Sequence, residues 1–153
     1  MNPTPPRGPL VPPVYLIGAM IAMVLLHFYF PIWEFGAPGA RYVGVAVIAV
    51  GFIFGFWAVF LFRRAKTGVV PFTAATFLVL GGPYRYTRNP MYVGMALVLL
   101  GSAVYLASLA PFLVLPLFVL FINNRFILAE EAMLEDAFGE AYREYKARVR
   151  RWL

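Results

Sequence analysis

Apolar residues run along this chain in blocks far longer than the segments of a soluble core. Residues 14–30 contain no Asp, Glu, Lys or Arg, and they hold His27, the single histidine of the chain. About 20 apolar residues at roughly 1.5 Å each cross a bilayer core, so this run is long enough if residues 31–33 lie at the interface. Residues 42–62 are free of charge and end on Arg63-Arg64-Ala65-Lys66, while Gly44, Gly51 and Gly55 leave small positions where another helix can come close. Between Pro90 and Glu130 the only charge is Arg125, and the pattern breaks near Ala107-Ser108-Leu109-Ala110-Pro111. That length predicts two short spans joined by a tight turn, with Pro116 as a kink in the second arm. Residues 72–80 are apolar but too short to span, which predicts an interfacial or re-entrant piece. After Leu128 the apolar positions Met133, Leu134, Ala137 and Phe138 recur at helical spacing among charges, and Gly139 marks a break before a second amphipathic segment. The expected fold is an all-α integral membrane protein. It has about four transmembrane helices, a short interfacial segment and a cytoplasmic helical cap over residues 129–153, in one domain over residues 1–153 whose residues 1–13 are a proline-rich tail.

Charge orients this arrangement. Residues 63–90 carry Arg63, Arg64, Lys66, Arg85 and Arg88 and no acid, whereas the turn of residues 31–41 holds only Glu34 and Arg41. The excess of basic residues places the long loop in the cytoplasm, and four spans then put both termini there with Arg143, Lys146, Arg148, Arg150 and Arg151. Composition agrees: 62% of the 153 residues are hydrophobic and 13% charged, more apolar surface than one soluble core of this size hides. The expected setting is a prokaryotic cell membrane. The net charge of +6 sits beside apolar spans, so anionic lipid headgroups are the expected partner and nucleic acid is not. With no cysteine and a single histidine, neither a disulfide nor a Cys or His metal cluster can form, and no metal site is expected.

The polar stretch G81-G-P-Y-R-Y-T-R-N-P-M-Y-V-G94 interrupts this pattern at the cytoplasmic mouth of span three, and Glu130-Glu131 falls at the cytoplasmic end of span four. If the two spans form a hairpin, both groups meet at one level of the membrane. There a water-soluble cofactor can enter from the cytosol while an apolar substrate arrives from the lipid. Arginines and tyrosines at such a boundary also serve as plain interfacial anchors, Asn-Pro starts many helices, and Glu-Glu often lines a solvated first turn. His27 reads as a packing or interfacial histidine. Asn123 and Asn124 can satisfy each other, or with Arg125 suit a polar acceptor group.

Order and spacing decide between these readings. The segment P71-F-T-A-A-T-F-L-V-L-G-G-P-Y-R-Y-T-R-N-P-M-Y-V-G94, then E130-E131, then F138-G-E-A-Y142-R-E-Y145-K-A-R148-V resembles the isoprenylcysteine carboxyl methyltransferase family and the related phospholipid methyltransferases. The resemblance covers residues 71–149. It implies a multispan enzyme that binds S-adenosyl-L-methionine on the cytoplasmic side and methylates a lipophilic acceptor, a prenylcysteine-like carboxylate or a phospholipid amine. It places cofactor contacts on Thr76, Phe77, Leu78 and Val79, on Tyr84, on Asn89, Pro90, Met91 and Tyr92, and on Glu130. The chemistry is consistent: adenine stacks on aromatic rings, a sulfonium and an amino group want a carboxylate, and a carboxylate wants donors such as Arg88 or Asn89. The family's histidine before the proline is Asn89 here, an amide that hydrogen-bonds but takes up no proton near neutral pH. An arginine that the family turns toward substrate has its nearest counterpart in Arg125, one residue out of register.

The expected reaction is in-line attack on a sulfonium methyl, with the protein supplying orientation and exclusion of water. A carboxylate acceptor needs no base. An amine must lose a proton first, and Glu131, Tyr92 or water are the groups able to take it. Two other classes share parts of the pattern: a nicotinamide-dependent membrane reductase of sterol-reductase type, and a non-catalytic lipid-binding membrane protein.

Overall fold

The computed structural model describes residues 11–35, 37–65 and 77–153. Four apolar helices form the membrane part. Helix α1 (Pro12–Tyr29) begins with proline in its first turn, where a missing N–H leaves no helical bond unmade. Helix α2 (Ala40–Arg64) ends on the basic pair Arg63-Arg64, the favourable sign of charge for a helix C-terminus. Helix α3 (Pro90–Leu106) again opens on proline, and it stops where Ala107 turns to a left-handed φ of 50°. The fourth run is interrupted: α4 (Leu109–Phe112), α5 (Val114–Ile122), a π turn (Asn123–Ile127) and α6 (Leu128–Phe138) follow one another directly. Helix α7 (Glu140–Arg148) is set off from α6 by Gly139 at φ 53°, the break expected from the sequence.

Three of these runs are long and apolar enough to cross a membrane: residues 12–29, 40–64 and 109–138. Helix α3, with 17 residues, is shorter. At about 1.5 Å per residue it reaches roughly 25 Å, against a hydrocarbon core of roughly 30 Å. The four-span expectation therefore holds with one short member. Ile17, Ile21, Phe28, Val43, Ile53, Phe56, Phe60 and Leu117 stand exposed on the helix faces, a surface compatible with lipid and not with water. The chain is an integral membrane protein.

Close packing of α2 on α3 compensates for the short helix. An added Cβ at Gly51 would lie 2.7 Å from the Gly94 carbonyl oxygen, and one at Gly101 would lie 2.7 Å from that of Gly44. Gly44 and Gly51 on α2 and Gly94 and Gly101 on α3 are each seven residues apart. Two antiparallel helices thus meet backbone to backbone over two turns, where dispersion contacts and weak polar contacts replace the hydrophobic effect that lipid removes. The other face of α3 contributes Tyr92, Leu99 and Ala103 to a core with Met23 of α1, Phe118 and Ile122 of α5, and Phe126 and Ile127 of the π turn.

The turn expected near residues 107–111 is present and is tied to the opposite connection. The Leu109 N–H donates to the carbonyls of Ile32 (3.0 Å) and Trp33 (3.1 Å), and the Phe35 N–H donates to that of Ala107 (2.9 Å). Helical assignment breaks at Leu113, three residues before Pro116, whose ring nitrogen has no proton for the Phe112 carbonyl. The expected interfacial segment of residues 72–80 lies outside the described residues up to residue 76, and residues 77–80 form no helix.

The glycine contact is testable. Gly51→Val forces α2 and α3 apart and is expected to lower thermal stability in detergent by at least about 2 kcal/mol, the range of overpacked cores. Gly18→Ala, inside α1, meets nothing within 4 Å and should not lower the melting temperature. Equal melting curves for both variants would refute the packing account.

Candidate functional site

The site is assembled at the end of the bundle where α3 and α6 begin. Residues 81–85 are held there by α2: Gly82, at φ 61°, brings its backbone against Leu61 and Trp57, where any side chain would collide. The ring of Tyr84 packs on Phe62 at a centroid distance of 5.2 Å. Tyr84 is buried, and its carbonyl accepts a 2.7 Å hydrogen bond from the Tyr145 hydroxyl of α7. The hydroxyl of Tyr84 itself is buried and has no hydrogen-bond partner among the described residues. Burial, reinforced by Tyr145 and Glu130 nearby, pushes the Tyr84 phenol far above its ordinary range, so it stays a neutral donor.

The adjacent acids Glu130 and Glu131 face different surroundings, because neighbours on a helix point about 100° apart. Glu130 accepts a 2.8 Å hydrogen bond from the Tyr92 hydroxyl and has no ion pair among the described residues. Glu131 is buried and holds two guanidinium groups. Arg151 straddles both of its oxygens, Nε at 3.1 Å and Nη2 at 2.7 Å, and Arg88 Nη2 lies 3.1 Å from Oε1. Hydrogen bonding to Glu131 raises the Arg151 pKa further above its ordinary value, so this group is charged at any accessible pH.

A strap formed by residues 149–153 closes the cluster from the C-terminal side. The Arg151 carbonyl accepts from Thr87 Oγ1 (3.0 Å) and from Asn89 Nδ2 (3.1 Å). The Arg88 N–H donates to the Arg150 carbonyl at 2.9 Å, and Arg88 Nη1 reaches the Lys146 carbonyl at 3.1 Å. Trp152 packs against the apolar core.

The structure thus brings Tyr84, Tyr92 and Glu130 together, with Pro90 buried and Met91 half-buried in the first turn of α3. Arg88 and Asn89, expected beside a cofactor, are engaged with Glu131 and with the strap. Glu131, expected as a base, has both oxygens bonded to arginine. Phe77 and Leu80 are exposed while Leu78 and Val79 are half-buried; Thr76 lies outside the described residues. Arg125 stacks its guanidinium 5.9 Å from the Phe126 ring centroid and forms no ion pair among the described residues. It sits in the π turn, whose i→i+5 bonding interrupts the α-helical ladder just ahead of α6. Sequence reasoning missed Thr87, Arg151 and the Tyr145 hydroxyl. Only the recurrence Tyr142-x-x-Tyr145 and the C-terminal basic run hinted at them.

The donor set suits S-adenosylmethionine. Glu130 offers a carboxylate without a cationic partner, Tyr92 fixes that carboxylate, and the Tyr84 hydroxyl is buried and unpartnered.

The chain is a bundle of apolar helices whose polar cluster closes over a tyrosine-held carboxylate, and comparison with known proteins gives its family. A family model described as phospholipid methyltransferase matches residues 40–141, and the chain belongs to that family. The chain is 35% identical over 72 residues to the protein-S-isoprenylcysteine O-methyltransferase of Schizosaccharomyces pombe, covering 47% of this chain and 30% of that protein. It is 26% identical over 155 residues to methanethiol S-methyltransferase 1 of Bradyrhizobium diazoefficiens, covering 92% of this chain and 53% of the other. An uncharacterised Haemophilus influenzae protein is 43% identical over 63 residues, all of its length and 41% of this chain. Against the two named enzymes, then, the chain spans about half of the length or less. Its fold matches that of the eukaryotic intramembrane Ras methyltransferase ICMT, isoprenylcysteine carboxyl methyltransferase, with a TM-score of 0.66 at 20% identity, over 92% of this chain and 51% of that one.

The unequal environments of the two acids predict unequal stabilities. Glu131→Gln leaves the buried Arg88 guanidinium without its carboxylate, and breaking a buried pair from one side costs about 3–5 kcal/mol. Glu130→Gln removes no ion pair and keeps an acceptor for Tyr92. Thermal melts in detergent should show a large drop for the first and a small one for the second; the reverse order would contradict the assignment.

Proposed function

We propose that this protein transfers a methyl group from S-adenosylmethionine to a lipophilic acceptor at the cytoplasmic face of a membrane. The observation that carries the reading is the hydrogen-bonded, cation-free carboxylate of Glu130 beside the buried, unpartnered Tyr84 hydroxyl. When bound, S-adenosylmethionine supplies an activated methyl on a cationic sulfonium. Glu130 holds the cofactor's amino group, and the Tyr92 hydroxyl fixes the orientation of that carboxylate. Tyr84 and Tyr92 offer aromatic faces and hydroxyls, and the half-buried Leu78, Val79 and Met91 exclude water from the nucleoside. Arg125, which has no carboxylate partner among the described residues and lies on the π turn ahead of Glu130, is the arginine assigned to the acceptor.

The acceptor is best served if its nucleophile is already ionised. Both oxygens of Glu131 accept bonds from arginine, and Tyr92 already donates its proton to Glu130. An anionic acceptor such as a lipophilic carboxylate needs neither group as a base, and this favours it over a phospholipid amine. The cytoplasmic placement rests on the basic loop and C-terminal run, and a prokaryotic cell membrane remains the expected setting.

Two measurements on the purified protein test this reading. Mass spectrometry after incubation with methyl-labelled S-adenosylmethionine and a membrane lipid extract should find the label in a lipophilic product. Calorimetry should show saturable S-adenosylhomocysteine binding that Glu130→Gln weakens by about 10- to 100-fold, the equivalent of one charge-assisted hydrogen bond of about 1.5–3 kcal/mol. Binding of a nicotinamide dinucleotide in its place, or of neither ligand, would overturn the proposal.

A further inference from the structure

The C-terminal strap touches the two elements that carry the candidate site, and one of its residues, Arg151, reaches both. The Arg151 guanidinium grips Glu131, the neighbour of Glu130 on α6, and its Nη1 extends to Asn123 Oδ1 in the π turn at 3.4 Å. The carbonyl of the same residue takes Thr87 Oγ1 and Asn89 Nδ2 just ahead of α3. The held segment is itself knotted to the helix start: the Asn89 N–H donates to Thr87 Oγ1 (3.1 Å), and the Tyr92 and Val93 N–H groups both donate to the Asn89 carbonyl (3.0 Å). A shift of Arg151 therefore acts on both the helix turn carrying Tyr92 and the helix turn carrying Glu130. The 2.8 Å Tyr92–Glu130 bond is the geometry that suffers.

We propose that Arg151 is a positioning residue: it clamps the start of α3 to the start of α6 and so sets the Tyr92–Glu130 pair for its ligand. The inference rests on the methyltransferase reading of that pair. Arg151 touches no reacting atom and works through Glu131 on one side and Asn89 on the other. Its side chain is about a third exposed at 32%, and its guanidinium straddles two carboxylate oxygens and an amide at once. A lysine ammonium offers a single point of charge and cannot reproduce that fork. Glu131 in this scheme is a buried anchor held by arginine from both sides, which leaves Glu130 as the acid open to a ligand.

The test uses Arg151→Ala and Arg151→Lys in the full chain. Both keep the backbone carbonyl and so cut only the guanidinium arm. At a temperature well below the melting point of every variant, Arg151→Ala is expected to raise KM for S-adenosylmethionine by about tenfold or more with a much smaller fall in kcat. Arg151→Lys should fall between it and wild type. Millimolar guanidinium should restore the alanine variant's KM, whereas ammonium at the same concentration should not. A folded Arg151→Ala protein with wild-type KM and only a lowered melting temperature would overturn the proposal, because a fold staple alone predicts that result. Hydrogen exchange in the ligand-free protein separates this inference from the functional reading. Faster amide exchange over residues 87–93 in Arg151→Ala supports the clamp even if S-adenosylhomocysteine fails to bind wild type, and unchanged exchange there refutes it.

Discussion

One buried carboxylate between two guanidinium groups organises the polar end of this protein. Glu131 joins Arg88 of the loop before α3 to Arg151 of the C-terminal strap. Neither partner alone fits such a place: an unpaired Arg88 at 8% side-chain exposure would be a strongly unfavourable buried charge, and a lone Glu131 would be another. Paired, they pull together the mouth of the helix bundle, α6 and the end of the chain. The exposed pairs contribute little by comparison. Arg143–Glu140 is largely solvated and screened, and Lys146–Glu135 ties α7 to α6 at half-exposed positions.

This hub also explains why two chemically identical neighbours can have different tasks. With Glu131 saturated by arginine, Glu130 is the carboxyl group left without a cationic partner among the described residues, oriented by Tyr92 and next to the buried Tyr84 hydroxyl. The rest of the fold makes that arrangement rigid. Glycines at 44, 51, 94 and 101 press α2 against α3, and α2 in turn seats the Gly82 loop through Trp57 and Leu61. In lipid such backbone contact matters more than apolar burial, since the tails are as apolar as leucine. The polar loop between apolar runs is thus seated on the end of the bundle and supported by packing that starts midway along α2 and α3.

Much of this was readable from residue patterns. The charge-free runs marked α1 and α2 within two residues, the break at Gly139 was anticipated, and the three glycines of α2 pointed to a close helix crossing. The meeting of Tyr92 with Glu130 followed from placing 81–94 and 130–131 at one membrane level. The strap was not legible, because its bonds run through the backbone carbonyls of Arg150 and Arg151 to residues more than 60 positions away, and a carbonyl carries no residue-type signal. The division between Glu130 and Glu131 was blurred for a similar reason. Which of two adjacent acids meets an arginine depends on helix rotation, and the π turn at Asn123–Ile127 resets that rotation just upstream. Arg88 and Asn89 looked like ligands for a cofactor's carboxylate; in the structure the two Arg88 Nη groups go to Glu131 and Lys146 and the Asn89 amide to Arg151, while the buried Arg88 Nε has no partner among the described residues.

The central claim is that Glu130 receives the amino group of the cofactor, and a cycle that changes one partner at a time tests it most directly. Affinities are measured by calorimetry for wild type and Glu130→Gln, each with S-adenosylhomocysteine and with its analogue lacking the α-amino group. Removing the amino group should weaken binding to wild type by about tenfold or more and barely affect binding to Glu130→Gln, giving a coupling energy above about 1 kcal/mol. Strictly additive losses, with the deaminated ligand penalised equally by both proteins, would show that the two groups do not meet and would contradict the account.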